Sequence, residues 1–287
     1  DLPRGCYSDD TQLRLATARA ISSHGFDVEA FAKVELPAWP TYALGGGLAS
    51  KAAAVNLSKP TIPWFGNFYD GYVTAGGNGV AMRIQPHVWA APPNTHQFVT
   101  DILRNGVTTH GHPRALAGAV LNGLALVMAV NEQHIPKPTD WPVLLEQVAV
   151  CPQLLDEDTQ LSQWRHVWQE HAGEDFNNLW ASTVEECRTM LDQVRPYVEE
   201  TNADEQQGRE SYSKIVEALG LAKKESRGSG TATVCAALAI AAAFPDDPYL
   251  ATLIPATTID TDTDTIATMV GAICGATATS LPPGEIQ

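Results

Sequence analysis

Six residues, Asp260-Thr-Asp-Thr-Asp-Thr265, alternate carboxylates with hydroxyls and run straight into Ile266-Ala-Thr-Met-Val-Gly-Ala-Ile-Cys-Gly275. The second stretch is so apolar and so rich in small residues that it is predicted to be a buried helix. The acids therefore crowd a buried helix start. A helix N-terminus carries about half a positive charge, and one capping Asp can use it. Three carboxylates need more. A divalent cation such as Mg²⁺ supplies it, because hard cations take oxygens from carboxylates, hydroxyls and water.

A second cluster of this kind is Ser8-Asp9-Asp10-Thr11-Gln12, followed by Leu13, Leu15, Ala16, Ala18, Ala20 and Ile21. That spread predicts a helix from Ser8 to His24-Gly25, with Ser8 as N-cap and both acids in the first turn. Capping alone accounts for an isolated Ser-Asp-Asp. Two acidic helix starts in one chain point instead to N-termini that meet around metal. Two glycine-rich stretches also precede helix-like segments: Gly76-Gly77-Asn78-Gly79, and Arg227-Gly228-Ser229-Gly230-Thr231 ahead of Ala232–Phe244. Glycines so placed can align backbone N–H groups as a nest for phosphate or diphosphate, although a tight connection is the plainer reading. His110 and His112 open a further helix at 115–130, where they could bind metal, contact a ligand or cap the helix. With no Cys or Glu partner nearby they make a poor zinc pair.

These residues need a scaffold. With 287 residues, 44% of them apolar, the chain can bury a full core, and one domain over 1–287 is expected. The formal charge of −15 and the lack of Lys/Arg clusters argue against a nucleic-acid backbone as partner, since counterion release needs such clusters. Cys6, Cys151, Cys187, Cys235 and Cys274 form no C-x-x-C pair and read as reduced thiols, mostly in the core. A cytoplasmic protein with no membrane span is expected, because the apolar runs Ala232–Phe244 and Ile266–Ala278 fall short of the roughly 20 residues a bilayer requires. The sequence opens at Asp1 in a loop-like Asp-Leu-Pro-Arg-Gly-Cys without an initiator Met, and a further segment is expected to precede it.

The stretch 131–226 has its own character. Prolines at 136, 138, 142 and 152 give way to amphipathic patterns around Leu161–Glu170, Phe176–Arg195 and Ser211–Ala222, and more than half of all Asp and Glu residues fall here. Most are predicted to be solvated helix faces, Asp156-Glu157-Asp158 included. Trp164, Trp168, Phe176, Leu179 and Trp180 are predicted to be core, and Pro196 to kink or end a helix. No strand alternation is visible, so the fold class is all-α, with about a dozen helices.

In order and rough spacing, Ser8-Asp-Asp-Thr-Gln12, Gly77-Asn-Gly-Val-Ala-Met-Arg83, Thr109-His110, Gly228-Ser-Gly230 and Asp262-Thr-Asp-Thr-Ile-Ala267 resemble the ADP-ribosylglycohydrolases of the dinitrogenase-reductase-activating type. The resemblance spans nearly the whole chain. It implies one compact multi-helix domain with two Mg²⁺ or Mn²⁺ ions between the two acidic helix N-termini. Carried over residue by residue, the family's Thr-Asp-Asp becomes Ser8, Asp9 and Asp10, and its Asp-x-Asp-Thr becomes Asp262, Asp264 and Thr265; these six are the implied metal ligands. The trailing Ile-Ala-x-Met sets that register, because the Asp-Thr repeat alone also permits Asp260 and Asp262. Asp260 and Thr261 stand where the family usually has Gly-Gly, which makes Asp260 a modulator of the site. The family normally begins with a helix carrying Gly-Asp-x-x-Gly and a loop whose acid can help activate water, and this sequence starts after that region. The segment 131–226 is long for the family.

The implied reaction is hydrolysis of the glycosidic bond at C1″ of ADP-ribose on a modified protein or nucleic-acid base, with ADP-ribose as product. Asp9, Asp10 and Asp264 are then the catalytic candidates, Asp9 or Asp10 taking a proton from the attacking water. Gly77, Asn78, Gly79, Gly228, Ser229 and Gly230 would hold the diphosphate, and His110 would contact ribose or diphosphate. Two other readings cover parts of the pattern: a relative that binds ADP-ribose or an ADP-ribosylating partner without catalysis, and a dinuclear-metal phosphoesterase, which the residues alone explain equally well. A monomer is expected, with 39–68 and 131–226 shaping the rim that selects the acceptor.

Overall fold

The computed structural model describes residues 5–92, 95–201 and 204–278, so the first four residues of the expected loop-like start lie outside it. Its described residues form one all-α domain with thirteen helices of six residues or more. Pro113–Glu132 is the central one. Proline at its first position suits the fixed φ of a helix start, and its apolar residues point outward on nearly every side, as a buried helix requires. Around it pack Gln97–Val107, Phe176–Glu199, Ala232–Ala243 and Thr263–Gly275. With a mean hydropathy of 1.6 this helix is apolar and long enough to cross a bilayer, yet 78% of that window is buried inside the fold, so the core accounts for its composition.

The acidic segment is docked onto this core through aromatic rings. Trp164, Trp168, Phe176 and Trp180 are buried as predicted, and Leu179 is partly buried. Phe176 meets Trp164 and Trp168 edge-on at 5.4 and 5.0 Å, an arrangement favoured by the ring quadrupoles. Trp164 Nε1 also donates to the Tyr72 hydroxyl at 2.7 Å, fixing the segment to the loop region before the central helix. Many of its acids begin helices: the carboxylates of Asp158, Asp175 and Asp204 accept backbone N–H groups of the helices they precede.

Three local expectations are corrected. The first helix is Asp9–Arg19, and the chain then turns back as a two-residue ribbon, Ile21–Ser22 against Gly25–Phe26, too short to show alternation in the sequence. Gly25, at φ +97°, makes that reversal without the strain a side chain would bring. The glycine-rich stretch at 76–79 leads only to a three-residue turn, Ala81–Arg83, and the short helix Gln85–Ala90. Pro196 does not end its helix, which runs from Phe176 to Glu199; the proline lies in the last turn, where its missing N–H costs one bond, and Val198 beyond it is buried.

Two helices carry the acidic clusters at their starts. Asp9–Arg19 and Thr263–Gly275 touch each other, and both pack on the Ala81–Arg83 turn. The two acidic helix starts are thereby brought to one place.

Candidate metal centre

Carboxylate oxygens of Asp9, Asp10 and Asp264 lie within 4.8 Å of one another. Asp10 is 2% exposed and Asp9 9%, while Asp264 faces solvent. Burial, followed by repulsion from Asp264 and Asp9, pushes the Asp10 carboxyl up to about 8, the Thr265 hydroxyl opposing. Asp9 is also raised, by burial and then Asp264, against hydrogen bonds from backbone N–H groups and the charge of Lys51. Asp262 is pushed up to about 6 by burial, with Asp264 adding to it and the Asn78 amide opposing. None of these four carboxylates takes part in an ion pair among the described residues.

The geometry answers whether a cation suits this set. Asp10 Oδ1 is buried without a hydrogen-bond partner, a placement that costs about 1–3 kcal/mol or more when nothing compensates it. Ser8 stands at the N-cap but its side chain caps nothing, and Asp262 likewise begins its helix without capping it. The capping explanation for Ser8 and Asp262 therefore fails. Clustered carboxylates and hydroxyls are the donor set of a hard divalent cation. The residues present fit one.

Asp9 is held against a glycine wall. Its backbone N–H donates to Leu44 O at 3.0 Å, and a Cβ on Gly45 would stand 2.6 Å from Asp9 Oδ1. Gly45 has φ +95°, so both its conformation and the space beside Asp9 exclude a side chain. Across the cluster, Asn78 Nδ2 donates to Asp262 Oδ2 at 2.8 Å, tying the first glycine-rich loop to the second acidic helix start.

The two glycine-rich loops pair with each other. Gly77 and Ser229 form an antiparallel bridge, Asn78 N–H donates to Gly228 O at 2.9 Å, and Gly230 N–H donates to Gly76 O at 2.9 Å. Ser229 N–H is taken by Ser226 O at 3.0 Å. In this conformation the amides of Asn78, Ser229 and Gly230 are thus unavailable for the anion nest expected of them. Gly230 is needed for close packing instead: a Cβ there would come within 2.6 Å of Arg114 O, and one on Gly118 within 2.0 Å of Gly230 O. Thr231 Oγ1 donates to Glu186 at 2.8 Å and lies 3.1 Å from Ser229 Oγ, so the acidic segment helps fix the second loop.

His110 departs from its expected role as a ligand contact. It is 3% exposed, its Nδ1 lies 2.7 Å from Thr109 Oγ1, and its Cε1 would be 3.0 Å from a Cβ on Gly79. Burial, with Arg83 nearby, holds its imidazole neutral, down to about 3. The ring is a prop beneath the Gly77–Gly79 loop. Arg83 holds the same loop from inside: fully buried, it donates to Gly79 O at 2.6 Å, Asn105 Oδ1 at 2.7 Å and Thr109 Oγ1 at 2.7 Å. Burial pushes its guanidinium down to about 9, and every acceptor it has is neutral. The sequence marks Arg83 only as the end of Gly-Asn-Gly-x-x-Met-Arg; Asn105 and Thr109, far along the chain, carry no signal that would join them to it.

Asp260 lies outside the cluster. It is exposed and adopts φ +72°, one of two non-glycine residues with positive φ among those described. Left-handed backbone favours glycine and tolerates Asp better than most residues, which gives a physical reason for glycine at the corresponding family position.

A family profile described as ADP-ribosylglycohydrolase matches residues 1–285. Among solved structures, a chain titled "ADP-ribosylglycohydrolase-related protein complex" superposes with a TM-score of 0.56 and 21% identity, over 96% of this chain and 72% of that one. At that identity the likeness concerns the fold. No curated protein sequence matches the chain.

Proposed function

The chain belongs to the ADP-ribosylglycohydrolase family, and on that premise we propose that it is a metal-dependent hydrolase removing ADP-ribose from a modified macromolecule by cleaving the C1″ glycosidic bond. The observation that carries the reading is the meeting of Asp9, Asp10 and Asp264 within 4.8 Å, with a buried Asp10 oxygen that has no partner. Ser8, Asp9, Asp10, Asp262, Asp264 and Thr265 would hold Mg²⁺ or Mn²⁺. When bound, such ions supply Lewis acidity and a template that orients ribose hydroxyls.

The chain's own groups do the rest. Asp9, the more accessible of the two acids on the first helix, accepts the proton of the attacking water as its oxygen bonds to C1″. The bond from C1″ to the acceptor atom breaks, and the acceptor leaves with the bonding pair. Nearby carboxylates stabilise the positive charge that develops on the ribose ring in such a transition state. Asn78 keeps Asp262 oriented, while Arg83 and His110 hold the loop that presents Asn78.

The test is incubation with macromolecules carrying ADP-ribose on Arg, on Ser, on other side chains and on a nucleic-acid base, with Mg²⁺, Mn²⁺ or EDTA. Intact ADP-ribose, released only with metal and lost in Asp262→Ala and Asp264→Asn, is the expected result. AMP or phosphate as product identifies a phosphoesterase, and ligand-induced thermal stabilisation without any product identifies a binding protein. Full turnover in EDTA would sink the metal-dependent mechanism.

A further inference from the structure

Lys223, Lys224 and Arg227 stand within five residues against one acid, Glu225, so this turn carries +2 (three minus one) in a chain of formal charge −15. None of the three forms an ion pair among the described residues. By contrast, Arg104, Arg114, Arg165, Arg195 and Arg209 each meet a carboxylate. Both lysines are exposed, and Arg227 is partly buried. Its Nε is buried without a partner and Nη2 reaches only Ala222 O, at 3.4 Å, so the outer nitrogens are the ones a ligand can meet. The turn beneath them is firmly built. Ser226 Oγ donates to Gly220 O at 2.6 Å, and the N–H groups of Ser226 and Arg227 donate to Lys223 O at 3.2 and 2.8 Å.

This turn opens at the edge of the acidic cluster. Arg227 directly precedes Gly228, where a Cβ would stand 3.7 Å from Asp262 Oδ2 and 3.9 Å from Asn78 Oδ1; consecutive Cα atoms are about 3.8 Å apart. The reaction proposed above places the distal ribose at that cluster, and the diphosphate begins one carbon beyond the ribose ring. Its negative charges are repelled by the carboxylates on the ribose side. The amides of Asn78, Ser229 and Gly230 are spent on loop pairing and on Ser226, and Lys51 acts on Asp9. What remains beside the second loop is the unpaired charge of 223–227. A guanidinium suits it, since it donates to phosphate oxygens through two parallel N–H groups. A charge of +2 is too small to hold a polynucleotide backbone, which takes many phosphate contacts.

We infer that the turn at 223–227 is the phosphate-binding edge of the substrate site, where Arg227 holds the diphosphate of ADP-ribose and Lys223 and Lys224 add to its charge; the inference rests on the reaction proposed above. The experiment is isothermal titration of the whole chain with ADP-ribose in saturating Mn²⁺, with release of ADP-ribose from a modified protein measured alongside. Arg227→Met weakens ADP-ribose binding about tenfold, the scale of a lost hydrogen bond to a charged group. It raises KM by a similar factor and leaves kcat within about threefold, as loss of uniform binding requires. Arg227→Lys, which keeps the charge, falls between wild type and Arg227→Met. Lys223→Met combined with Lys224→Met changes only exposed side chains and weakens binding about threefold. Lys137→Met removes a charge elsewhere on the surface and leaves the Kd unchanged. Added salt weakens wild-type binding more than that of Arg227→Met. Affinity that is unchanged in both Arg227→Met and the double lysine variant overturns the inference, even in a chain that releases ADP-ribose. So does inorganic pyrophosphate that binds through the turn without competing with ADP-ribose, which puts the turn outside the substrate site. A chain that binds ADP-ribose through Arg227 yet releases none from any modified macromolecule refutes the proposed reaction and leaves the assignment of the turn standing.

Discussion

Carboxylates dominate two regions of this molecule and behave oppositely in them. Between 131 and 226 they lie at helix caps and on helix faces, and several have a cation in reach. Asp158 receives Arg104, Arg165 reaches Asp156, and Arg195, Arg209 and Arg114 pair with Asp192, Glu205 and Glu186. Although burial pushes Asp158 up, hydrogen bonds from Leu161 N–H, Arg104 and Gln160 N–H outweigh it and leave the carboxyl below its usual range. At the two helix starts, Asp9, Asp10 and Asp262 are all raised and have no ion-pair partner among the described residues. Composition is therefore a poor guide to chemistry here. Burial without a counter-charge, and not the number of acids, is what sets Asp9, Asp10 and Asp262 apart.

The largest expected effect lies on the uncompensated side. Asp10→Asn should lower ADP-ribose release by at least about 100-fold, the scale of removing one stabilising group from an active site. The same change should raise the unfolding free energy of the metal-free protein by about 2 kcal/mol at neutral pH, since without metal the fold must keep the Asp10 carboxyl protonated well above its ordinary value; calorimetry in EDTA checks the sign. A destabilised variant would break the contrast between the two regions. Gly45→Ala comes next, because its Cβ would collide with Asp9 Oδ1 at 2.6 Å. It should weaken Mn²⁺ binding by about tenfold and cost about 1–3 kcal/mol of stability from strained backbone, both readable by metal titration and thermal melting.

On the compensated side, Arg104→Met should destabilise the fold by about 1.5–3 kcal/mol, the scale of hydrogen bonds to a charged group, and metal affinity should not change. The pH dependence then separates the regions. Asp10 and Asp262 titrate in the folded chain at about 8 and about 6, above their ordinary value of 3.8. Their protonated forms stabilise the metal-free fold fully below that ordinary value, and this contribution is lost as pH rises through 6 and then 8. Asp158 is depressed, so its contribution is present above the ordinary value and is lost as pH falls through the folded one. The melting temperature in EDTA should rise from pH 8 to pH 5, and the rise should vanish with saturating Mn²⁺. A downturn below pH 4 should be present in wild type and smaller in Arg104→Met. The smallest effect belongs to Asp260→Gly, which relieves φ +72° and should stabilise by about 0.5 kcal/mol, leaving metal affinity within about twofold.

The helical fold was legible because apolar periodicity is local, and the acidic stretch Asp260–Thr265 was legible because several uncompensated acids beside a buried helix are physically conspicuous, while the choice of Asp262, Asp264 and Thr265 within it came from the family resemblance. Its pairing with Ser8-Asp9-Asp10 could be inferred from a shared pattern. What sequence could not supply was which groups spend their hydrogen bonds elsewhere. Asn78, Ser229 and Gly230 looked like free amides until the two loops were seen to pair, and His110 looked like a ligand contact until it was found beneath Gly79. Pairings such as Arg83 with Asn105 and Thr109, or Glu186 with Thr231, join residues far apart in the chain and leave no local trace. The 21–26 ribbon was hidden for another reason: two residues per strand are too few for alternation to register.

The central claim is that the fold assembles carboxylates whose missing counter-charge is a divalent cation. Titration of Mn²⁺ into chelator-stripped protein, followed by the electron paramagnetic resonance signal of free Mn²⁺, tests it most directly. Two ions bound per chain are expected, with both lost or strongly weakened in Asp10→Asn and Asp264→Asn and both retained in Arg104→Met. A free-ion signal that tracks added Mn²⁺ from the first addition, in wild type as in the variants, would contradict it.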